Sequence, residues 1–147
     1  MYYDLRFLTD ELLFIKWYRV ASAKTRPQAE FVDDITRRLN EAKGPVYFLS
    51  DLRLARVMDV ATLQQMGQLT RHPNYGGGTA FSRDTLSNIF VRVFSRFAEP
   101  SKGNGDFFET LEEALAYLES LKPGIAAKVD WKSLMEDLGP ARPMASR

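Results

Sequence analysis

Apolar and polar residues alternate along the first part of the chain. Tyr3, Leu5 and Phe7 are separated by polar residues, and a second alternating run, rich in aromatic residues, occupies positions 13–18. A repeat of two residues is typical of a strand with one buried face. Because only the short segment 9–11 separates the two runs, the pattern predicts two strands paired as an antiparallel hairpin.

The spacing of apolar residues then changes to three and four, which is typical of helices that pack one face on a sheet. The first such segment begins at Pro27 and ends before Gly44. The second begins after Asp59, which can cap it, and the third extends to about Phe97. The pattern therefore predicts three helices after the hairpin.

Short apolar runs between these helices predict strands at residues 46–49, 79–81 and 106–109. Thr110 and Glu113 then form the capping box of a fourth helix. The order ββαβαβαβα predicts an α/β fold. We expect a single mixed β-sheet, built from the N-terminal hairpin and three helix–strand units, with helices packed on the sheet.

The last part of the chain is predicted to be an extension of this domain. We expect the α/β domain to comprise residues 1–122 and the C-terminal extension residues 123–147. Within the extension, residues 130–138 carry apolar side chains at helical spacing, including Trp131, and predict a short amphipathic helix. The residues that follow predict a loose tail.

Composition narrows the class of protein. The 147 residues are 45% hydrophobic, and 20 basic against 19 acidic side chains give a net charge of +1. That balance argues against a nucleic-acid-binding face, which needs a concentrated basic excess. Without cysteine the chain forms no disulfide and no thiolate metal site. The N-terminus has no basic region leading into an apolar run, so we expect no signal peptide. The most apolar stretch is too short for a membrane helix, so we expect a soluble, cytoplasmic protein that does not insert into a membrane.

The residues that often carry catalysis are poorly placed for it. The glycines at 76–78 follow a helix and precede a strand, whereas a phosphate loop follows a strand and precedes a helix. They favour a flexible connector. The single histidine, His72, is best interpreted as a structural loop residue, and carboxylates such as Asp33 and Asp34 fall where solvated helix faces are expected. We therefore expect no enzymatic activity, no catalytic residue, no metal and no cofactor.

Polar residues at the carboxyl ends of two predicted parallel strands form the best-motivated ligand site, because open α/β sheets bind ligands beyond those ends. The residues are Ser50, Asp51, Arg53, Ser82, Arg83 and Asp84. Their arginines suit a small anionic ligand. The alternative is that Asp51 and Arg53 form an ordinary ion pair and that Ser82 or Asp84 caps the third helix.

The third helix is apolar over a wider arc than one sheet face requires. The predicted core stripe comprises Leu86, Ile89, Phe90, Val93 and Phe97. The apolar residues beyond this stripe are Val91, Phe94 and Ala98. We expect this additional apolar surface to be covered by the extension, by a second subunit or by a partner protein. We therefore predict a homodimer or a protein partner, with an interface at Phe90, Val91, Phe94, Phe97 and Trp131.

Four segments suggest a relative for the first 122 residues. They are the strand ending in Asp51, the Arg71-His72-Pro73-Asn74 loop, the strand containing Phe107 and the Leu111-Glu112-Glu113-Ala114-Leu115 helix. Together with the order of the elements, they resemble the STAS-like domains, small bacterial relatives in fold of the anti-sigma-factor antagonists. The resemblance implies a non-enzymatic domain that binds a partner protein or a small ligand, often in regulation.

One departure from that family concerns its regulatory site. The classical antagonists carry a phosphorylatable serine at the start of the helix after the central strand. Here residues 51–62 contain no serine, and Thr62 carries the only hydroxyl group in the first turn of that helix. We therefore do not expect this chain to share the family's phosphorylation switch. The leading hypothesis is a non-catalytic STAS-like domain that self-associates or docks a partner through its third helix. The alternative is a protein that binds a small anionic ligand at the strand ends.

Overall fold

The predicted N-terminal hairpin forms in the computed structural model, which describes residues 1–54, 60–83, 85–100 and 102–138. β1 (Tyr2–Thr9) pairs antiparallel with β2 (Leu12–Tyr18). Every residue of β2 from Leu12 to Trp17 is buried. Burial on both faces is expected of an interior strand with helices above and below it.

The remaining elements follow in the predicted order, with a short strand and a 3-10 turn, not predicted, before the first helix. They are β3 (Arg26–Pro27), a 3-10 turn (Gln28–Glu30), α1 (Phe31–Glu41), β4 (Val46–Asp51), α2 (Val60–Leu69), β5 (Tyr75–Phe81), α3 (Thr85–Phe97), β6 (Gly103–Phe108), α4 (Leu111–Leu121) and α5 (Trp131–Leu138). Pro27 pairs with Tyr2 in the sheet, so α1 begins later than predicted. The caps predicted at Asp59 and Asp84 lie outside the described residues.

Within the described part of the chain, the strands form one six-stranded sheet in the order β3-β1-β2-β4-β5-β6. β1 is antiparallel to both of its neighbours, and β2, β4, β5 and β6 run parallel. Helices α1, α2 and α3 connect the successive parallel strands, as such crossovers require. The predicted α/β fold with a single mixed sheet is confirmed, although β6 begins at Gly103 rather than at residue 106.

Two hydrophobic clusters, one on each face of the sheet, form the core. On the α1–α3 face, residues of α1, α2 and α3 pack on Leu13, Ile15 and Trp17 of β2. On the α4 face, α4 and the C-terminal extension pack on Leu12 and Phe14. The extension contributes Ile125, Ala126, Val129 and Trp131 to this second cluster.

The extension turns back towards the sheet directly after α4. Gly124 adopts a φ of 86°, in the left-handed region that favours glycine. The Glu119 carboxylate accepts the N–H groups of Ala126 and Gly124, each at 2.9 Å, and these bonds lower its pKa. The predicted short helix is confirmed, and the Asp130 carboxylate accepts the Ser133 N–H at its start.

The glycines at 76–78 lie inside β5, so the prediction that they form a connector is wrong. Their lack of side chains lets aromatic groups lie directly against the strand. A Cβ on Gly76 would stand 2.8 Å from the Tyr47 ring, and one on Gly78 would stand 2.9 Å from the Tyr75 hydroxyl oxygen. Glycine inside a strand often marks such a close approach.

Candidate functional site

A cavity of about 120 Å³ lies between the α1–α3 face of the sheet and helices α2 and α3. The sheet side includes Trp17, Phe48 and Ala80, and the helix side includes Met66, Val91 and Phe94. Among the described residues, every fully buried side-chain nitrogen or oxygen has a hydrogen-bond partner. The cavity is therefore a mostly apolar space within a core whose buried polar atoms are already satisfied.

Aromatic rings shape the walls of this cavity. The ring centroids of Trp17 and Phe31 lie 4.9 Å apart, and Tyr3 lies 5.5 Å from the first ring and 5.0 Å from the second. Phe48 packs edge-on against Tyr75 at 5.0 Å. These separations are typical of favourable aromatic contacts. The rings therefore support one another around the cavity.

The inner face of α3 differs from the predicted one. Val91 and Phe94, predicted to be excess apolar surface, line the cavity. Ile89, predicted to be part of the core stripe, is 49% exposed, so that assignment is wrong. The periodicity gave a broad apolar arc, and contacts with α2 and the sheet decide which part of it faces inward.

Of the other predicted interface residues, Phe97 and Trp131 are not among those that line the cavity. Phe97 is half-buried at the end of α3, and the side chain of Phe90 lies outside the described residues. Trp131 packs on the α4 face, where its Nε1 donates to the carbonyl oxygen of Ala126 at 3.0 Å. The described part of the extension therefore covers the face of the sheet opposite to α3, and self-association through α3 stays a prediction.

The residues predicted at the carboxyl end of β4 divide between the two faces of the sheet. Successive strand residues point to opposite sides. Ser50 accordingly lines the cavity, whereas Asp51 is fully buried on the α4 face, beside Lys16 of β2. Ser50 and Asp51 therefore cannot contact one ligand from the same side.

Of the residues predicted at the end of β5, Ser82 and Arg83 lie in different environments. Ser82 is buried, and its backbone N–H donates to the carbonyl oxygen of Phe108 at 2.9 Å. Arg83 is exposed. Asp84 lies outside the described residues. A common anion site formed by the predicted strand ends stays a prediction.

Asp51 forms a buried ion cluster with Arg53 and with Lys16, which the sequence patterns did not single out. The Arg53 guanidinium donates to the two carboxylate oxygens at 2.9 and 2.8 Å, and its backbone N–H donates at 3.0 Å. Lys16 Nζ lies 3.6 Å from the carboxylate, and both side chains are buried. Burial lowers the pKa of Lys16, because desolvation disfavours its charged form. The available signal was a lysine within an otherwise apolar strand.

Asp34 is buried rather than solvated, contrary to the prediction for its helix face. Its carboxylate accepts the Tyr3 hydroxyl at 3.1 Å, Arg37 Nη2 at 2.6 Å and Arg38 Nε at 3.1 Å. Arg26 of β3 lies 3.6 Å away. The carboxylate thus links β1, β3 and α1, which is a structural role.

His72 also has a structural role, as its loop position indicated. Its Nδ1 accepts the Asn74 N–H at 3.0 Å, so Nε2 carries the proton and donates to Asn40 Oδ1 at 2.7 Å. The Asn74 side chain donates to the carbonyl oxygens of Leu39 and Ala42 at the end of α1. These hydrogen bonds from the loop therefore cap the C-terminus of α1.

No protein-family model, curated protein or solved structure matches this chain. The STAS-like resemblance accordingly stays an expectation based on the order of elements and on short segments. Across the described residues, none of the helices combines the length and apolar character needed to cross a membrane. Of the features described, the cavity under α3 has the geometry of a ligand site.

Proposed function

We propose that this chain is a non-catalytic binding domain of the STAS-like kind and that it holds a small apolar molecule in the cavity under α3. The cavity itself is the observation that supports the proposal. Its walls combine aromatic and aliphatic side chains of the sheet with those of α2 and α3. Small-molecule sites are typically concave and mostly apolar, with a few polar groups that orient the ligand.

The volume of the cavity suits a small ligand. An apolar cavity of about 150 Å³ holds benzene, and this one measures about 120 Å³. An apolar ligand that fills the space gains contacts with its walls and stabilises the fold by mass action.

The cavity is partly open to solvent. Three of the residues that line it, Ser50, Val91 and Phe94, are half-buried. We therefore expect a small ligand to reach the cavity without unfolding of the core.

The leading function predicted from the sequence, docking on α3, and its alternative, an anion site, have less support. Asp51 already accepts three N–H groups of Arg53 and lies beside Lys16, so those charges are engaged within the protein. Docking of a second copy or a partner on α3 is favoured by the exposure of Ile89. A single exposed apolar residue is common on protein surfaces.

Calorimetric titration with benzene tests the proposal. Wild-type protein is expected to bind benzene saturably. Val91→Phe fills the cavity from α3 and is expected to abolish binding. Ile89→Phe places the same ring on the exposed side of the same helix, so it is the matched control and should bind like wild type.

A second cavity-filling variant separates loss of the cavity from distortion of α3. Ala80→Leu fills the cavity from β5, and circular dichroism establishes whether each variant is folded. Loss of benzene binding in a folded variant supports the proposal. If wild type does not bind benzene, or if both folded variants bind it unchanged, the proposal is overturned.

A further inference from the structure

Resting on the proposed function, we infer that the cavity takes an apolar molecule bearing one hydroxyl or carbonyl group and that the Ser50 hydroxyl binds this group. The inference comes from the hydrogen bonds of the polar residues that line the cavity. These polar groups differ in whether they already form hydrogen bonds within the protein.

The other hydroxyl groups on the wall are engaged. Thr70 donates to the carbonyl oxygen of Gly67 and accepts the backbone N–H of Glu99 at 2.7 Å. Thr79 and Tyr75 also have partners within the protein. A hydroxyl that already bonds inside the fold has less capacity left for a ligand.

Ser50 differs from these residues. Within the part of the chain that the structure describes, its hydroxyl makes no hydrogen bond to another protein group. Phe48 and Leu52, its neighbours on the same side of the chain, both line the cavity. Among the described residues that line the cavity, Ser50 therefore carries the one hydroxyl group without a partner in the protein.

We expect the half-buried Ser50 hydroxyl to bond to water when the cavity holds no ligand. A purely apolar ligand displaces that water and leaves the hydroxyl unpaired, which weakens binding. A ligand with a hydroxyl or carbonyl group replaces the lost hydrogen bond. Binding sites with such a group discriminate strongly against analogues that lack the matching polar atom.

Phenol and benzene form the matched pair of probes, because they differ by one hydroxyl group. Affinities of both are measured by calorimetry for wild type, Ser50→Ala and Ser120→Ala. Ser120 is exposed on α4, so its variant controls for a serine lost elsewhere. The ratio of phenol to benzene affinity cancels general effects of the substitution on the cavity.

We expect Ser50→Ala to lower the phenol-to-benzene affinity ratio about tenfold, the factor that one hydrogen bond of ordinary strength provides. Benzene affinity should be unchanged or higher, and Ser120→Ala should leave the ratio as in wild type. An unchanged ratio in Ser50→Ala overturns this inference while benzene binding still supports the proposed function. Failure of both probes to bind wild type overturns the two together.

Discussion

A methyl group on Gly67 of α2 would stand 2.5 Å from the Cβ of Phe97 on α3, closer than Cβ atoms approach other atoms in proteins. The two helices therefore meet here with no side chain on the α2 side. Thr70, just beyond α2, accepts the backbone N–H of Glu99, just beyond α3, at 2.7 Å. These two contacts hold the C-terminal ends of the helices together above the cavity.

Gly67→Ala should therefore destabilise the protein by about 1–3 kcal/mol through overpacking. Alanine gains about 1 kcal/mol over glycine inside a helix, so the net loss is expected to be at most about 2 kcal/mol. Gly44→Ala is the control, because a Cβ there has no neighbouring atom within 4 Å. Urea unfolding measures both variants, and a Gly67→Ala protein as stable as Gly44→Ala would show that the helices do not pack this closely.

Asp34→Asn should destabilise the fold by about 1–3 kcal/mol, because the buried carboxylate accepts hydrogen bonds from Tyr3, Arg37 and Arg38. Asp33→Asn changes the exposed neighbour on the same helix and should stay within about 0.5 kcal/mol of wild type. The comparison uses denaturant unfolding of both variants. Equal effects would contradict the structural role assigned to Asp34.

In the ion cluster on the α4 face, loss of the Asp51 carboxylate should destabilise the fold more than loss of the Lys16 ammonium group. Asp51→Asn leaves buried Lys16 without its nearby carboxylate and should cost about 3 kcal/mol or more. Lys16→Met fills a similar volume and leaves Asp51 bonded to Arg53, so the loss should be smaller, below about 2 kcal/mol. Equilibrium unfolding in urea ranks the two, and the reverse order would contradict the arrangement.

Stability should fall at alkaline pH because of buried tyrosines. Burial raises the pKa of Tyr75 and, together with Asp34, that of Tyr3 above the ordinary value of 10.0. The unfolded chain then releases these protons at lower pH than the native state, so the free energy of unfolding falls as pH rises above 10. Lys16 opposes the trend, since its lowered pKa makes the fold gain stability as pH rises towards 10.5.

The slope of this decline identifies its source. Unfolding free energies of wild type and Tyr75→Phe are compared between about pH 9 and 11, where free tyrosine titrates. Tyr75→Phe should show a shallower decline, whatever its stability at neutral pH. An identical slope in the two proteins would mean that Tyr75 does not contribute.

Local patterns were enough to predict most of the fold. The two-residue repeat predicted the hairpin, and the three- and four-residue spacing predicted the helices, because both periodicities arise from the geometry of a single element. The capping box at Thr110 and Glu113 was also predicted, and the Thr110 hydroxyl accepts the Glu113 N–H at 3.2 Å. Such signals depend only on neighbours in the sequence.

The features that were missed depend on contacts between elements. The glycines at 76–78 lie in a strand that pairs with β4, and the Tyr47 ring and the Tyr75 hydroxyl occupy the space beside Gly76 and Gly78. The spacing assigned Ile89 of α3 to the core and Phe94 to the excess apolar surface, whereas contacts with α2 and the sheet place Phe94 inward and leave Ile89 exposed. The cavity is a space that the side chains leave unfilled, and periodicity carries no information about volume.

The two tryptophans provide the most direct test of the central claim, because they lie on opposite faces of the sheet. Trp17 lines the cavity, and Trp131 packs on the α4 face. Their indole N–H resonances are followed by two-dimensional NMR during a titration with benzene. The proposal predicts that the Trp17 resonance shifts saturably while that of Trp131 stays in place. A Trp17 resonance that does not move, or equal shifts of both, would contradict a ligand site in this cavity.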